Sequence, residues 1–380
     1  MLYAPELHEP LADVTWDAAR ARDAIHAIVA DIDQAYDPQD FWPANEWDGY
    51  QSALPMKDLY CGAGGVGWGL ERLRASGHAE TALDVTAVAR RALQRFRDEP
   101  DILQGLELPT RARSSLFVGE AGLLFLAWLL EPSDTLATEL LELVRQNIGN
   151  ETNELMWGVP GTLLIARMLH ARTGEERWRA AVEESVRALY DERDEDGLWT
   201  QKLYGHTSRI IGPIHGFVGN VAALGDTRGV AEILRRDAIV EGGHANWLPE
   251  LGYERVPRLQ WCHGAPGIIT TASEYLDEEL LLAGAELIWD AGPLESKEKG
   301  AGLCHGTAGN GYALLKTFER TGDERWLERA RAFAMHALAQ VEQLPARYSL
   351  FTGGIGVALY VADCIDAQAR FPIVDGLDNA

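Results

Sequence analysis

The stretch Gly158-Val159-Pro160-Gly161-Thr162-Leu163-Leu164-Ile165-Ala166-Arg167-Met168-Leu169 places two glycines three apart at the head of a run that is apolar on most faces. A helix that is hydrophobic all round is a buried one. Glycine at its entrance permits a tight turn and a close backbone approach. One such copy is ordinary helix-entry chemistry. The pattern recurs, however, at Gly62/Gly65, Gly119/Gly122, Gly216/Gly219, Gly264/Gly267, Gly306/Gly309 and Gly353/Gly356. Intervals of about 40 to 60 residues suit a helix pair with loops of differing length. Between the copies lie charge-rich amphipathic segments. Thr173-Gly174-Glu175-Glu176-Arg177-Trp178 and Thr321-Gly322-Asp323-Glu324-Arg325-Trp326 are near duplicates, each leading into an Ala/Arg/Glu helix with one apolar stripe. Inner and outer helices alternating seven times predict an all-α fold. The form expected is an α/α toroid, a double-layered helical barrel with every Gly-x-x-Gly at an inner-helix entrance on one rim. No Pro/Gly/Ser-rich linker divides the chain, so residues 51–380 read as one domain. Residues 1–50 read as a helical lead-in packed on the barrel, with Pro38, Trp42, Pro43 and Trp47 in an irregular segment.

Composition narrows the function. With 47% hydrophobic residues among 380, the chain can bury a large core. A net charge of −24 argues against nucleic acid as a partner and against a polybasic membrane anchor. The segment Met1 to Asp23 lacks an apolar signal core. The longest apolar run, Leu123 to Leu130, falls far short of the roughly 20 residues that cross a bilayer. A soluble cytoplasmic protein is expected. Its four cysteines, Cys61, Cys262, Cys304 and Cys364, are too few for a disulfide scaffold of this size. In a reducing compartment, cysteines beside histidines read as metal ligands or nucleophiles.

Two motifs carry such pairs: Trp261-Cys262-His263-Gly264-Ala265-Pro266-Gly267 and Leu303-Cys304-His305-Gly306-Thr307-Ala308-Gly309. The fourth motif adds His215 in a matching frame. In a closed ring, equivalent positions converge at one rim. Cys262, Cys304 and His305 then offer two thiolates and an imidazole, the donors zinc prefers. Three protein ligands leave one tetrahedral position for water or a substrate thiol, as in a catalytic zinc site. His263 is a candidate substrate-binding residue; it would be the fourth ligand of a closed, structural site only if the backbone turned both it and Cys262 inward. Buried cysteines and hydrogen-bonded core histidines are the plainer alternative; the two matched frames favour a metal. A thiol at an open zinc is deprotonated by the cation. Delivered to an electron-poor alkene, it adds at the β-carbon and leaves an enolate that needs a proton at the α-carbon. His215 is the expected general acid, and its plainer reading is a histidine hydrogen-bonded at a helix entrance. Cys61 and Cys364 lie outside the ligand frames.

At Trp261–Gly267 and Gly302–Asn310 the sequence resembles the lanthionine synthetase C-like family. The likeness extends over about residues 50 to 375. It includes all seven glycine motifs, Asn153-Glu154-Leu155-Met156-Trp157-Gly158, Ser349-Leu350-Phe351 and Ala369-Arg370-Phe371-Pro372. The resemblance implies the α/α toroid, one zinc held by Cys262, Cys304 and His305, and thiol addition to dehydroalanine or dehydrobutyrine. Family members that make lanthipeptides close thioether rings within a peptide. A stand-alone LanC-like branch joins glutathione to dehydroamino acids in proteins. Trp261-Cys262-His263 matches that second branch, where many cyclases have tyrosine after the cysteine. Lys299 matches a lysine that the branch associates with glutathione, and Arg347 is a further candidate carboxylate clamp in a shifted register. Two positions depart from the family pattern. Ser115 replaces an aspartate of the cyclases, and Thr352 replaces an acidic residue of the stand-alone branch.

The expected function is therefore zinc-dependent addition of glutathione to dehydroamino acids in a peptide or protein. One alternative is a lanthipeptide cyclase using a peptide thiol. Another is a zinc-stabilised binding scaffold without catalysis. An α/α-barrel glycosidase would need paired carboxylates at the ring mouth, where this chain has cysteine and histidine.

Overall fold

A computed structural model describes residues 1–44, 55–101, 111–225, 228–295 and 300–376. Helix α1 (Ala18–Ala35) leads. It is followed by the pairs α2 (Ala63–Ala75) and α3 (Val85–Asp98), α4 (Glu120–Leu130) and α5 (Asp134–Asn147), and α6 (Val159–Thr173) and α7 (Glu176–Asp191). Then come α8 (Phe217–Leu224) and α9 (Val230–Asp237), α10 (Ala265–Ala272) and α11 (Glu278–Ala291), α12 (Thr307–Thr321) and α13 (Glu324–Gln343), and finally α14 (Gly354–Asp366).

The even-numbered helices from α2 to α14 form the inner layer of the toroid. Each begins directly after the first glycine of a motif, which serves as its N-cap. The second glycine has a steric reason. A Cβ on Gly65, Gly122, Gly161, Gly219, Gly267, Gly309 or Gly356 would fall on the carbonyl oxygen of the residue six positions earlier. The entrance loop therefore folds back onto the first helical turn, and no side chain fits between them. Along the inner layer α6 packs on α8, α8 on α10, α10 on α12 and α12 on α14. Helix α14 then packs on α2, and α2 on α4.

The outer helices bury a single stripe. In α3 that stripe is Val85, Val88, Ala89, Ala92, Leu93 and Phe96, with arginines on the solvated face. In both near-duplicate segments the glycine ends an inner helix in the left-handed conformation, with φ 67° at Gly174 and 69° at Gly322. The tryptophan four residues on, Trp178 or Trp326, is fully buried at the start of the outer helix. Helix α1 supplies the outer partner of α14, burying Ala21, Ile25, Val29 and Ile32.

The all-helical expectation needs one addition. Two short antiparallel hairpins follow outer helices: β1 (Gln201–Leu203) with β2 (His206–Ser208), and β3 (Ala238–Glu241) with β4 (His244–Trp247). Each turns through two residues of positive φ, Tyr204-Gly205 and Gly242-Gly243, as a type I′ turn requires. Strands of three or four residues carry too little alternation to register in the sequence pattern. Among the described residues no helix is long and apolar enough to cross a membrane.

Candidate metal centre

The residue two before the first glycine holds the same place in each motif, and backbone bonds join these places around the rim. The Tyr60 N–H donates to Phe117 O at 3.0 Å and the Met156 N–H to Ile214 O at 3.1 Å. The Cys262 N–H donates to Cys304 O at 3.3 Å, the Cys304 N–H to Phe351 O at 2.8 Å, and the Phe351 N–H to Tyr60 O at 3.3 Å. This lacing puts Cys262 beside Cys304. In the fifth motif Gly264 has φ 97° and ψ −169°, a region open essentially to glycine alone.

The ligand atoms of Cys262, Cys304 and His305 all lie within 4.8 Å of one another. Cys304 Sγ is 3.6 Å from His305 Nε2. Both thiols are buried and His305 is half-buried. Gln260 Nε2 donates to Cys262 Sγ at 2.9 Å. Burial opposes ionisation of both thiols. Cys262 is nevertheless held well below an ordinary thiol by the hydrogen bond from Cys304 and by the nearby His263 and His305. Cys304 moves the other way, pushed up by burial and by the Cys262 sulfur against it. Of the two thiols, Cys262 is thus the readier to ionise and Cys304 the more reluctant. Two sulfurs and one imidazole nitrogen in this buried cluster fit a three-ligand zinc site with one open position. His263 stands outside that trio. Its Nδ1 is buried without a hydrogen-bond partner among the described residues, and the residue lines the adjoining cavity.

That cavity, of about 670 Å³, is lined by Cys262, His263, Cys304 and His305 and also by His215, Met156, Trp157 and Tyr204. His215 Nδ1 lies 2.7 Å from Glu154 Oε2. Glu154 is fully buried, and its carboxylate also accepts the Met156 N–H at 3.0 Å and the Trp157 N–H at 2.7 Å. A carboxylate only accepts, so the His215 proton sits on Nδ1 and Nε2 is left for the cavity. Tyr204 stands edge-on to His215 with ring centroids 6.2 Å apart. Arg258 and Tyr253 reach the cavity from the loop before α10.

Asp58 and Asp101 complete the wall. Asp58 accepts the Cys61 and Gly62 N–H groups at 2.7 and 3.2 Å. Asp101 pairs with the buried Lys57 at 2.6 Å and accepts the Lys57 and Asp58 N–H groups. Burial, then the charge of Asp101, pushes the Asp58 carboxyl up to about 8.

The other expected positions fall elsewhere. Arg347 lines a smaller cavity with Gly300, Gly302 and Thr352, and its Nη1 is buried without a hydrogen-bond partner among the described residues. Lys299 lies outside the described residues. Ser115 is buried, and the Thr352 hydroxyl pairs with Ser349 at 2.6 Å. Sequence reasoning missed the pairing of Glu154 with His215, and it missed Tyr204, Asp58 and Asp101. The usable signal was an acid four residues before the first glycine of the first and third motifs. Tyr204 gave none.

The model of the lanthionine synthetase C-like proteins matches residues 56–375. The chain belongs to that family. Among curated LanC-like relatives, it is 35% identical over 143 residues to the glutathione S-transferase LANCL1 of Danio rerio, covering 33% of this chain and 34% of the relative. It is 28% identical over 194 residues to the LanC-like protein GCL1 of Arabidopsis thaliana, covering 44% and 43% respectively. The matches thus span less than half the length of these relatives. The LanC-like ring also superposes on nisin cyclase with a TM-score of 0.59 at 14% identity, over 90% of this chain and 94% of the other. At that identity the likeness is one of fold.

Proposed function

We propose that this LanC-like protein is a zinc enzyme that adds a thiol, glutathione first among candidates, to dehydroalanine or dehydrobutyrine in a peptide or protein. The observation that carries this reading is one cavity lined both by the Cys262/Cys304/His305 trio and by His215, whose Nδ1 is paired with the buried Glu154. Zinc held by Cys262, Cys304 and His305 would supply the positive charge that favours a thiolate at neutral pH. The residues do the rest. His215 Nε2 takes the thiol proton, and the Glu154 carboxylate at Nδ1 steadies the resulting imidazolium. The sulfur bonds to the β-carbon, the alkene electron pair moves toward the carbonyl, and the imidazolium returns its proton to the α-carbon. No proton is gained or lost overall.

A cavity of about 670 Å³ is within the usual range for small-ligand sites. Lys299 and Arg347 are the proposed carboxylate contacts of glutathione, Arg347 from the smaller cavity, where its Nη1 has no hydrogen-bond partner among the described residues. All four cysteines are free, which suits a reducing cytoplasm. Purified protein, glutathione and a dehydroalanine peptide are mixed, and the adduct is sought by mass spectrometry. No adduct from zinc-loaded protein removes the proposal. An adduct only with a cysteine-bearing dehydro peptide would move it to the cyclase reading.

A further inference from the structure

Tyr204 projects from the turn between β1 and β2, outside the motif frames. Its φ of 54° is uncommon for a bulky residue, and its ring lines the cavity between Trp157 and His215. Trp157 Nε1 lies 2.9 Å from the Tyr204 hydroxyl oxygen. An indole N–H can only donate, so the phenol oxygen is the acceptor and its own hydrogen takes no part in that bond. Among the described residues nothing accepts that hydrogen. Burial raises the phenol well above its ordinary value, with the Glu154 charge adding to the effect, so it stays protonated. The segment from Glu154 to Trp157 therefore orients two cavity groups at once: His215 through the carboxylate and Tyr204 through the indole.

We infer that Tyr204 is a catalytic hydrogen-bond donor to the carbonyl oxygen of the dehydroamino acid. The inference rests on the addition reaction proposed above. As the S–Cβ bond forms, the alkene pair passes through Cα to the carbonyl oxygen, where negative charge develops. The Tyr204 O–H donates to that oxygen without transferring its proton. The C=O bond re-forms as Cα takes its proton from His215. His215 and Tyr204 thus divide the enolate, one serving its carbon and the other its oxygen. The plainer role for Tyr204, a partner that satisfies the Trp157 indole, predicts a different mutant pattern.

Tyr204→Phe keeps the ring and removes only the hydroxyl. Its kcat should fall about 10²- to 10³-fold, the usual cost of one oxyanion donor, with zinc content and the KM for glutathione little changed. Trp157→Phe keeps the phenol hydrogen and should lose much less. A Tyr204→Phe rate within threefold of the parent, or equal losses in both variants, would overturn the inference. A separate readout uses 3-fluorotyrosine at position 204, titrated with the dehydroalanine peptide. If the parent protein forms no adduct, the addition reaction falls, and the fluorine resonance still decides the contact. A shift on peptide binding, abolished when the peptide carbonyl is reduced, supports it; an unmoved resonance removes it.

Discussion

Glu154 Oε2 and His215 Nδ1 lie 2.7 Å apart although 61 residues separate them in the chain. The contact ties the third motif to the fourth and fixes which imidazole nitrogen faces the cavity. Glu154→Gln puts an amide where a pure acceptor stood, so the His215 tautomer is no longer imposed. Adduct formation should fall by at least about 10²-fold, as when a histidine loses its orienting carboxylate. Zinc content should be unchanged. Full activity in this variant would show that the carboxylate is only a loop brace.

The trio makes a prediction about metal alone. Cys304→Ala removes a buried sulfur and leaves two donors. Bound zinc, measured by elemental analysis after dialysis, should drop from about one per chain to a small fraction. Retained stoichiometric zinc would sink the ligand assignment. Cys364→Ala, at a buried cysteine on α14 outside the trio, should keep its metal.

Asp58 makes stability depend on pH. Its carboxyl is raised from an ordinary 3.8 to about 8, so the folded protein holds this proton more tightly than the unfolded chain. That stabilisation is complete below about pH 3.8 and is lost as pH rises through about 8. Asp58→Asn stays neutral throughout, and its side-chain oxygen can still accept the Cys61 and Gly62 N–H groups. In urea melts from pH 5 to pH 9 the variant should lose less stability than the parent, by an amount on the order of a few kcal/mol. Parallel curves would place the pH dependence elsewhere.

Glycines of different position should behave in opposite ways. A Cβ at Gly309 would fall on the Leu303 carbonyl oxygen, one residue before Cys304. Gly309→Ala should therefore cost at least about 1–3 kcal/mol and weaken zinc retention. At Gly67, within α2, the nearest atom to a Cβ is Val85 Cγ1 at 3.5 Å, an ordinary contact. Gly67→Ala should be neutral or stabilising by up to about 1 kcal/mol. Equal melting temperatures for the two variants would contradict the steric account of the motif.

The inner helices were legible because their requirement is local. A loop carbonyl occupies the space a Cβ would take, so glycine marks each entrance in the sequence itself. The convergence of Cys262, Cys304 and His305 followed from matched frames in a ring. What stayed hidden depends on contacts that no frame specifies. The position four before the first glycine varies, being Asp58, Ser115, Glu154 or Gln260 in different motifs, so its pairing with His215 could not be read. Tyr204 comes from a hairpin inserted after an outer helix, with strands too short to show a period. Arg347 sits just before the last motif, yet its guanidinium lies over Gly300 in the smaller cavity.

The packing of α14 against both α1 and α2 has a consequence for synthesis on the ribosome. Cys304 donates its N–H to Phe351, and Phe351 donates its own to Tyr60, so the Cys304 loop leans on a seam between the first and last motifs. A nascent chain emerges from its amino end, and domains fold as units. The seam has no second edge until α14 has left the exit tunnel. Incomplete chains therefore carry the cysteines without the enclosure that directs them, and the Cys262/Cys304/His305 cluster is assembled late.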